Sequence, residues 1–420
     1  MSEILVLGAG MVGMTTALEL QSRGHRVTVV DRKPAGQETS FGNAGLIQSE
    51  AAEPYAMPRS LPELRDLLLG RSNDVLWSPA GVWGQMPALW QYFRNSHPVR
   101  HLALSRPHAQ LIATASRDQE RWIAASKAQD LIAKTGYISI FDDARSFDRA
   151  AADLSRLKDL YDIAATPMDG ARFCAMEPSY LRPPAGAIHW QDTWSCSDPG
   201  GLVARYAALF QQQGGALVTG DASSLQRRGD RWDVQTAAGV IAAEQAVIAL
   251  GPWSPDLLRR LGYRVRMIRK QGAHRMYDTP VPLRRPVFHT RYSVVLSSMR
   301  GGTRMTCGVA LHGRARRPDL RQLDRAAAGL ATEIDLGIPT ADAPWHGTRP
   351  FMPDMLPMLG AAPRHDRLWF NFGHGHQGFT LGATTARHLA DMVDGRVRPG
   401  GGAETWLEAL TPAARPKVIA

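Results

Sequence analysis

The sequence predicts an α/β fold with a main domain built on a parallel sheet and a second, α+β domain that the chain supplies in two pieces. Three observations lead to this prediction. Residues 4–31 contain a strand, a glycine-rich turn, a helix and a second strand. Residues 202–250 return to this alternation, and residues 368–393 add a strand, a glycine-rich loop and a helix. Strands that alternate with helices are typical of a parallel sheet covered by helices.

The opening segment has the clearest pattern. Residues 4–7 (ILVL) form an apolar run suited to a strand buried on both faces. Residues 14–23 have helical periodicity that ends at Gly24, a common residue just after a helix. Residues 27–31 (VTVVD) predict the second strand. Together they form one βαβ unit.

The middle and the end of the chain supply the remaining α/β elements. We predict a helix at 202–213, and strands at 216–219, 232–236 and 246–250. Near the end we predict a strand at 368–372 and a helix at 379–393. Between these segments, residues 55–189 have mainly helix-like patterns, and residues 264–311 contain short alternating strands such as 292–296.

These patterns divide the chain into two discontinuous domains. We predict a first domain from residues 1–54, 190–255 and 346–420, and a second domain from residues 55–189 and 256–345. Residues 396–403 are rich in Pro and Gly and predict a linker. We expect the tail after it to be poorly ordered.

Composition limits the class of protein. The 420 residues are 44% hydrophobic and 21% charged, which is typical of globular proteins. Three cysteines without a C-x-x-C motif argue against a disulfide framework or a structural zinc site, and fit a reducing compartment. The start lacks a signal-peptide pattern, and no apolar run approaches about 20 residues. We therefore expect a cytoplasmic protein that is at most peripheral to a membrane.

Charge is unevenly distributed. The net charge is +10, and the stretch from Arg259 to Arg317 contains fifteen Lys and Arg residues but only one acid, Asp278. The basic residues are dispersed and no nucleic-acid-binding motif accompanies them, so we predict a solvated basic face and no nucleic-acid partner.

A glycine fingerprint, Gly8-x-Gly10-x-x-Gly13, lies between the first strand and the first helix. The first glycine permits the tight turn, the second lets the backbone approach a pyrophosphate, and the third lets helix and strand pack closely. Asp31 ends the second strand, where its carboxylate can accept the ribose hydroxyls of an adenosine. This Rossmann-like half-site suits FAD and NAD alike, and Asp31 disfavours NADP.

Four later segments favour FAD over NAD, because together they resemble a family of flavoproteins. They are residues 38–46 (ETSFGNAGL), 249–254 (ALGPWS), 347–357 (GTRPFMPDMLP) and 373–380 (GHGHQGFT). In this order and spacing they resemble the D-amino-acid oxidase-like flavoprotein superfamily, and within it the bacterial D-amino-acid dehydrogenase group. The resemblance covers nearly the whole chain and implies a Rossmann-like FAD-binding domain joined to a discontinuous α+β substrate domain.

The resemblance and the fingerprint together predict the residues that hold FAD. Segment 38–46 would run beneath the flavin ring, where an Asn-containing turn is the plain structural alternative. The glycine-rich loop at 373–378 would lie against the ring, with a helix N-terminus stabilising negative charge there. The predicted cofactor-binding residues are Gly8, Gly10, Met11, Val12, Gly13, Asp31, Arg32, Ser40, Asn43, Ala44, Gly45, Leu46, Gly251, Trp253, Gly375, Gly378 and Thr380.

The resemblance also implies catalytic candidates. Arg349, in the G-x-R-P segment, would grip the substrate carboxylate through two parallel hydrogen bonds. His374 and His376 would contact the ring or substrate, with plain packing as the alternative and a metal site disfavoured because no further ligands cluster with them. Tyr292 is a weaker candidate for the pocket wall, together with His289.

The implied reaction is oxidative deamination of a free amino acid of the D configuration, with hydride transfer from Cα to flavin N5. Some relatives attach flavin through a cysteine near this arginine, but Phe351 and Met352 occupy those positions here, so we predict noncovalent FAD. Thr306 aligns where related oxidases carry an oxygen-activating lysine, which favours a quinone or another carrier as acceptor, reached by peripheral attachment to the inner membrane. Oxidation of a secondary amine and a role as the FAD-bearing subunit of a larger complex stay open as alternatives.

Overall fold

The computed structural model describes residues 1–312, 319–397 and 405–420. Most of the predicted linker, residues 398–403, and the end of the basic stretch, residues 313–317, lie outside the described residues. The strands are β1 (Glu3–Leu7), β2 (Arg26–Asp31), β3 (Leu46–Ile47), β4 (Val75–Trp77), β5 (Ile132–Ala133), β6 (Tyr137–Phe141), β7 (Ala165–Met168), β8 (Gly186–Trp190), β9 (Trp194–Cys196), β10 (Ala216–Arg228), β11 (Arg231–Thr236), β12 (Gly239–Ala243), β13 (Gln245–Ile248), β14 (Ile268–Asp278), β15 (Val287–His289), β16 (Val294–Met299), β17 (Gly302–Cys307), β18 (Val309–Leu311), β19 (Ile338–Pro339), β20 (Trp345–Phe351), β21 (Met358–Ala361) and β22 (Leu368–Phe372).

The α-helices are α1 (Met11–Ser22), α2 (Leu61–Leu68), α3 (Pro79–Trp83), α4 (Met86–Asn95), α5 (Pro98–Ala125), α6 (Ala144–Ala152), α7 (Leu154–Tyr161), α8 (Gly170–Met176), α9 (Pro199–Gln212), α10 (Ser254–Arg260), α11 (Arg321–Leu330) and α12 (Gly378–Val393). Short 3-10 helices cover Gln129–Leu131, Gly251–Trp253 and Thr405–Leu410. Helix α1 begins three residues earlier than its periodicity predicts, because the glycine turn itself forms its first turn.

The first sheet has eight strands in the order β12-β11-β10-β2-β1-β13-β22-β21. Strands β10, β2, β1, β13 and β22 run parallel, and β11, β12 and β21 pair antiparallel at the two sides. The predicted strands at 4–7, 27–31, 216–219, 246–250 and 368–372 lie in the parallel part of this sheet, whose central strands β1 and β13 are buried, whereas the predicted strand at 232–236 is the antiparallel β11. The predicted α/β fold class is therefore confirmed.

Helices cover one face of this sheet. Helices α1, α5, α9 and α12 share a single apolar cluster with β1 and β2, and α12 packs against both α1 and α5. Helix α5 comes from the stretch 55–189, so part of the predicted second domain packs on the first sheet. The opposite face has its own cluster around Trp232, Tyr263 and Phe370.

The second sheet has eleven strands. Nine follow the order β4-β18-β14-β17-β16-β15-β6-β8-β7, while β19 and β20 both pair with β14. Its strands come from both pieces of the predicted second domain, and β20, placed by the prediction almost entirely in the first domain, pairs along β14 as well. A small third sheet joins β3, β9 and β5. The domain boundaries stay a prediction.

The C-terminal tail is ordered, contrary to expectation. Val418 and Ile419 are buried in the second apolar cluster, and Ala420 exchanges backbone hydrogen bonds with Arg264. Arg415 donates from Nε to the Asp354 carboxylate at 2.8 Å. Buried apolar and ionic contacts therefore hold the tail in place. The Pro and Gly content of residues 396–403 gives no information about these contacts, which is why the expectation of a poorly ordered tail was wrong.

Candidate functional site

A cavity of about 950 Å³ is lined by residues of both sheets. The turn between β1 and α1, the loop after β2 and the 3-10 helix Gly251–Trp253 line one part. Strands β14, β17 and β20, helix α4 and the loop before α12 line the other. The cavity thus connects the predicted nucleotide half-site with the predicted substrate side.

The glycine turn leaves no room for larger side chains. A Cβ added at Gly8 would lie 2.5 Å from the Ala249 carbonyl oxygen, and one added at Gly13 would lie 1.8 Å from the Gly8 carbonyl oxygen. Gly8 also has a φ of +111°, which side-chain-bearing residues rarely adopt. Gly13 therefore acts behind the cavity wall by letting α1 pack on β1, as its place in the fingerprint predicts.

Asp31 is fixed at the end of β2. Its Oδ2 accepts a hydrogen bond from the Ala9 amide at 2.7 Å, and its Oδ1 accepts one from the Lys33 amide at 3.1 Å. The neighbouring Arg32 guanidinium lies 4.5 Å from the ring centre of Trp253. These residues line one end of the cavity, where the remaining carboxylate lone pairs can accept ribose hydroxyls.

The loop at residues 40–46 contacts both the nucleotide half-site and the second sheet. The Ser40 hydroxyl oxygen accepts from the Met11 amide at 3.0 Å, at the start of α1. The Asn43 side chain accepts from the Gly45 amide at 2.8 Å, which is the Asn turn considered as an alternative. Thus Asn43 has a local structural role and also lines the cavity.

Arg304 secures this loop and was missed by the sequence analysis. Its Nη1 donates to the carbonyl oxygens of Phe41 at 2.9 Å and of Asn43 at 2.8 Å. Burial lowers the pKa of Arg304 to about 10. The predicted solvated basic face is therefore wrong for this residue, which is only 7% exposed.

The glycine-rich loop before α12 brings both predicted histidines to the cavity. His374 Nε2 lies 3.0 Å from the Thr385 hydroxyl, and burial lowers the pKa of His374 to about 3. His376 packs edge-on against Tyr55 at 5.1 Å between ring centres, and its buried Nδ1 has no hydrogen-bond partner in the described part of the chain. Burial, with Arg349 nearby, holds the pKa of His376 well below its usual range. Both imidazoles are therefore neutral at physiological pH.

Arg349 lines the opposite wall. Its Nη1 donates to the Gly308 carbonyl at 2.6 Å and its Nη2 to the Cys307 carbonyl at 3.4 Å. The guanidinium lies across Gly272 of the adjacent strand, where an added Cβ would approach Nη1 to 2.2 Å. Carbonyl oxygens orient the fork without neutralising it, so a cationic fork faces the cavity.

Lys270 is a second basic residue in this wall, and it was not predicted as a site residue. It is 6% exposed, and its Nζ lies 3.3 Å from the Tyr92 hydroxyl. Thr306, where a lysine was sought by alignment, also lines the cavity. A lysine is therefore present in the cavity, but it comes from β14 rather than β17. Arg269 and Arg275 lie in the same strand, so charge alone does not distinguish Lys270 in the sequence.

Tyr292 and His289 do not reach the cavity wall. Tyr292 lies in the turn after β15, and its ring packs where a Cβ on Gly329 of α11 would stand. His289 is fully buried, with Nε2 2.8 Å from Glu333 and 3.4 Å from Asp142. The alternating pattern at 292–296 predicted a strand from Tyr292, but β16 begins at Val294, and Ser293 has a φ of +50°. The side chain therefore takes a direction that strand periodicity does not give.

The structure brings most predicted site residues together. Those that line the cavity are Gly8, Gly10, Met11, Val12, Asp31, Arg32, Ser40, Asn43, Ala44, Leu46, Gly251, Trp253, Arg349, His374, Gly375, His376 and Gly378. Gly13, Gly45 and Thr380 lie behind the wall, where Thr380 Oγ1 accepts from the Gln48 amide at 3.2 Å.

These residues fit FAD. The turn has no side chain to block a pyrophosphate, Asp31 stands where an adenosine ribose would lie, and neither α1 nor α12 has a side-chain cap from its own N-cap residue. Helix N-termini without such caps favour anionic groups. The fold and this site define a flavin-dependent oxidoreductase.

The family model described as DAO, FAD dependent oxidoreductase, matches residues 3–392, so the chain belongs to this family. It is 32% identical to the D-amino acid dehydrogenase of Paramagnetospirillum magneticum, over 94% of this chain and 95% of that protein. It is 27% identical to the D-amino-acid oxidase of Bradyrhizobium diazoefficiens, with the same coverage.

Solved structures show the same fold. Iminodiacetate oxidase from Chelativorans sp. BNC1 has a TM-score of 0.71 at 20% identity, covering 97% of this chain and 98% of that one. Glycine oxidase from Geobacillus kaustophilus has a TM-score of 0.68 at 22% identity, covering 98% of both chains. The prediction was an FAD-dependent amino-acid dehydrogenase or oxidase acting on CH–NH2 or CH–NH donors. The family and its relatives confirm an FAD-dependent amino-acid oxidoreductase, and with it FAD as cofactor.

Proposed function

We propose that the enzyme oxidises a free α-amino acid, preferably of the D configuration, to its imino acid. The observation that carries this proposal is Arg349, whose fork faces the cavity without a carboxylate partner among the described residues. Several relatives of about 30% identity are named D-amino acid dehydrogenase, which supports the D configuration.

The chain's own residues position the substrate. Arg349 binds the carboxylate through two parallel hydrogen bonds and so fixes the orientation of Cα. His376 stays neutral and adds no positive charge beside Arg349. Bound FAD supplies a two-electron acceptor for the hydride that leaves Cα. The imine product hydrolyses in water after release and needs no nucleophile from the protein.

An anaerobic substrate panel tests this proposal through flavin bleaching by the isolated holoenzyme. D-amino acids should bleach the flavin faster than their L enantiomers. Arg349→Ala should keep FAD bound and lose at least about a hundredfold in substrate affinity, since charge-assisted bonds contribute about 1.5–3 kcal/mol each. Bleaching by N-substituted glycines alone would assign the enzyme to secondary amines. Failure of the isolated chain to bleach with any amine would favour a subunit of a larger complex.

We further propose that the electrons pass to a quinone at a membrane surface. Of the described helices, none is long and apolar enough to cross a bilayer. Helices α2 to α4 and the start of α5 instead expose a set of apolar side chains, here called the apolar surface: Leu61, Leu68, Leu69, Trp83, Met86, Trp90, Val99 and Leu102. Trp83 and Leu61 are 80% and 82% exposed.

The apolar surface adjoins the cavity. Met86 and Trp90 are four residues apart in α4 and therefore lie on the same side of that helix, while Trp83 is the last residue of α3. Trp90 stacks with Phe93, over which Arg59 lies at 4.1 Å. Leu67 of α2 and Leu89 of α4 line the cavity, so one set of helices serves both.

Its chemistry fits an anionic bilayer. Between residues 59 and 106 the chain has six arginines (Arg59, Arg65, Arg71, Arg94, Arg100 and Arg106) and three acids (Glu63, Asp66 and Asp74). Tryptophan and leucine beside basic residues are typical of helices that lie in the membrane interface. Exposed apolar patches otherwise mark contacts with other proteins.

Vesicle flotation of the holoenzyme tests this attachment. The protein should float with anionic vesicles, float less with zwitterionic ones, and lose binding in Trp83→Ser/Trp90→Ser. Val281→Ser/Ile338→Ser is the matched control, since both side chains are exposed elsewhere. Absence of wild-type flotation would contradict the proposal. So would light scattering that shows the surface joining two copies. Rapid reoxidation of the reduced enzyme by air would contradict the quinone as acceptor.

A further inference from the structure

Lys270 and Arg349 form a pair of neighbouring cations in the cavity wall. They are directly opposite each other in the antiparallel pairing of β14 with β20. Residues in this relationship project from the same face, with Cβ atoms about 4.5–5.5 Å apart, and like charges there are destabilising. Both side chains line the cavity. Two basic side chains on adjacent strands therefore face the same part of the cavity.

In the described part of the chain, Lys270 contacts the Tyr92 hydroxyl and Arg349 contacts the Gly308 and Cys307 carbonyl oxygens, and neither forms an ion pair with a carboxylate. Lys270 Nζ lies 3.4 Å from the ring centre of Phe351 and 4.4 Å from that of Tyr92. Aromatic faces attract a desolvated ammonium by about 2 kcal/mol, which is less than the several kcal/mol that burying the charge costs. A ligand that brings negative charge to this wall would relieve the unfavourable pairing.

We propose that Lys270 is a second ligand of the substrate carboxylate beside Arg349, and that it takes up a proton when a carboxylate binds. This inference rests on the proposed function, in which Arg349 binds that carboxylate. With an amino acid, the proton comes from the substrate's own ammonium group. One N–H bond of the ammonium breaks and one N–H bond forms on Nζ. The substrate amine becomes neutral, as loss of a hydride from Cα requires, and no electrons move in this step.

The titration of the wall supports this role. Burial, and then the charge of Arg349, lower the pKa of Lys270 to about 7. The groups that face it do not titrate near that value. Burial raises the pKa values of Tyr92 and Tyr55 and holds that of His376 well below its usual range. Burial also lowers the pKa of Arg349, but a guanidinium starts from so high a value that it keeps its proton. Lys270 is therefore the group in this wall that changes charge near neutral pH.

Two ligands of matched shape test the proposal on the holoenzyme. Isobutyrate has a carboxylate and no amine, whereas 2-aminoisobutyrate has both but no Cα–H, so neither can be oxidised. Calorimetry in buffers of different ionisation enthalpy should show isobutyrate taking up nearly one proton at pH 8 and little at pH 6. 2-Aminoisobutyrate should show little net uptake at pH 8, because it brings its own proton.

The flavin absorbance change on binding gives the Kd of isobutyrate from pH 6 to 9. In the wild type, Kd should rise up to about tenfold per pH unit above pH 7, as linkage requires. Lys270→Arg should bind at all these pH values with a flat profile and no proton uptake. Lys270→Met should bind more weakly at pH 6 and also lose the pH dependence.

Each outcome separates this inference from the function on which it rests. A flat wild-type profile, or proton uptake that persists in Lys270→Arg, overturns the role of Lys270 while leaving Arg349 as the carboxylate ligand. Isobutyrate binding that survives Arg349→Ala unchanged, or absent binding of both ligands, overturns the proposed carboxylate site itself and the inference with it.

Discussion

The guanidinium of Arg349 rests on Gly272, and any side chain at this position would have to displace it. A Cβ at this position would stand 2.2 Å from Nη1 and 2.8 Å from Cζ. Gly272 pairs with Gly347, two residues from the pair formed by Lys270 and Arg349. The Arg349 guanidinium therefore crosses the neighbouring strand where that strand has no side chain. The direction of the carboxylate-binding fork is therefore set by a residue with no side chain.

Gly272→Ala should displace this fork. We expect carboxylate ligands to bind about 10- to 100-fold more weakly, the loss of about 1.5–3 kcal/mol that accompanies a charge-assisted hydrogen bond. FAD content should stay unchanged, which flavin absorbance per protein measures. Gly301→Ala is the matched control, because an added Cβ there meets only Met276 Cε at 3.9 Å. Equal affinities in the two variants would contradict the role of Gly272.

Asp31→Ala should weaken FAD binding. The change removes the acceptor for ribose hydroxyls and leaves the Ala9 amide without its 2.7 Å partner. We expect FAD affinity to fall about 10- to 100-fold, measured by flavin fluorescence during dialysis. Glu3→Ala, which removes a carboxylate paired with Arg26 and Arg231 outside the cavity, should retain FAD. Full retention in Asp31→Ala would refute the nucleotide assignment.

Arg304→Met should loosen the loop at residues 40–46. Its loss leaves the carbonyl oxygens of Phe41 and Asn43 without donors, at a cost of about 1–3 kcal/mol for each buried group left unpaired. We expect a lower Tm and faster proteolysis in this loop, both partly reversed by added FAD. Arg300→Met, at an exposed position near the same hairpin, should change neither. An unchanged Tm in Arg304→Met would contradict the role of Arg304 in holding this loop.

The buried His108 should make stability depend on pH. Burial lowers its pKa to about 4, below the unfolded value of about 6.5. Between these values the unfolded chain binds a proton that the folded chain does not, so stability falls as pH decreases, by up to about 3 kcal/mol. His108→Gln should reduce this slope in urea unfolding between pH 4 and 7. His97→Gln, at an exposed position, should leave the slope as it is. Equal slopes in both variants would contradict the prediction.

The nucleotide half-site could be predicted because its requirements are local. Gly8, Gly13 and Asp31 act through backbone space and strand ends, which neighbouring residues in the sequence determine. Arg349 could be identified from its motif, and the structure places it in the cavity wall. The strands β1, β2, β13 and β22 of the first sheet were predicted from apolar runs that alternate with helices, whereas their order in the sheet was not predicted.

The substrate side of the cavity could be predicted less well, because the register between paired strands determines which side chains point into it. Lys270 and Arg304 lie among many basic residues, and only the register of β14 with β20 and of β17 with its neighbours shows that they point inwards. The prediction that Tyr292 lines the pocket was wrong because this residue lies in a turn, whose side-chain directions strand periodicity does not describe. Charge alone says nothing about which side of a strand a residue occupies.

The pairing of β1 with β13, about 240 residues later in the chain, has a consequence for biosynthesis. A ribosome releases the βαβ unit early, but β1 gains its second neighbour only after β13 emerges, and β13 gains β22 later still. Until then, strand edges that end up central stay open to mispairing, and such long-range pairings slow folding. Heterologous production should therefore benefit from slower translation and from chaperones that shield nascent apolar strands.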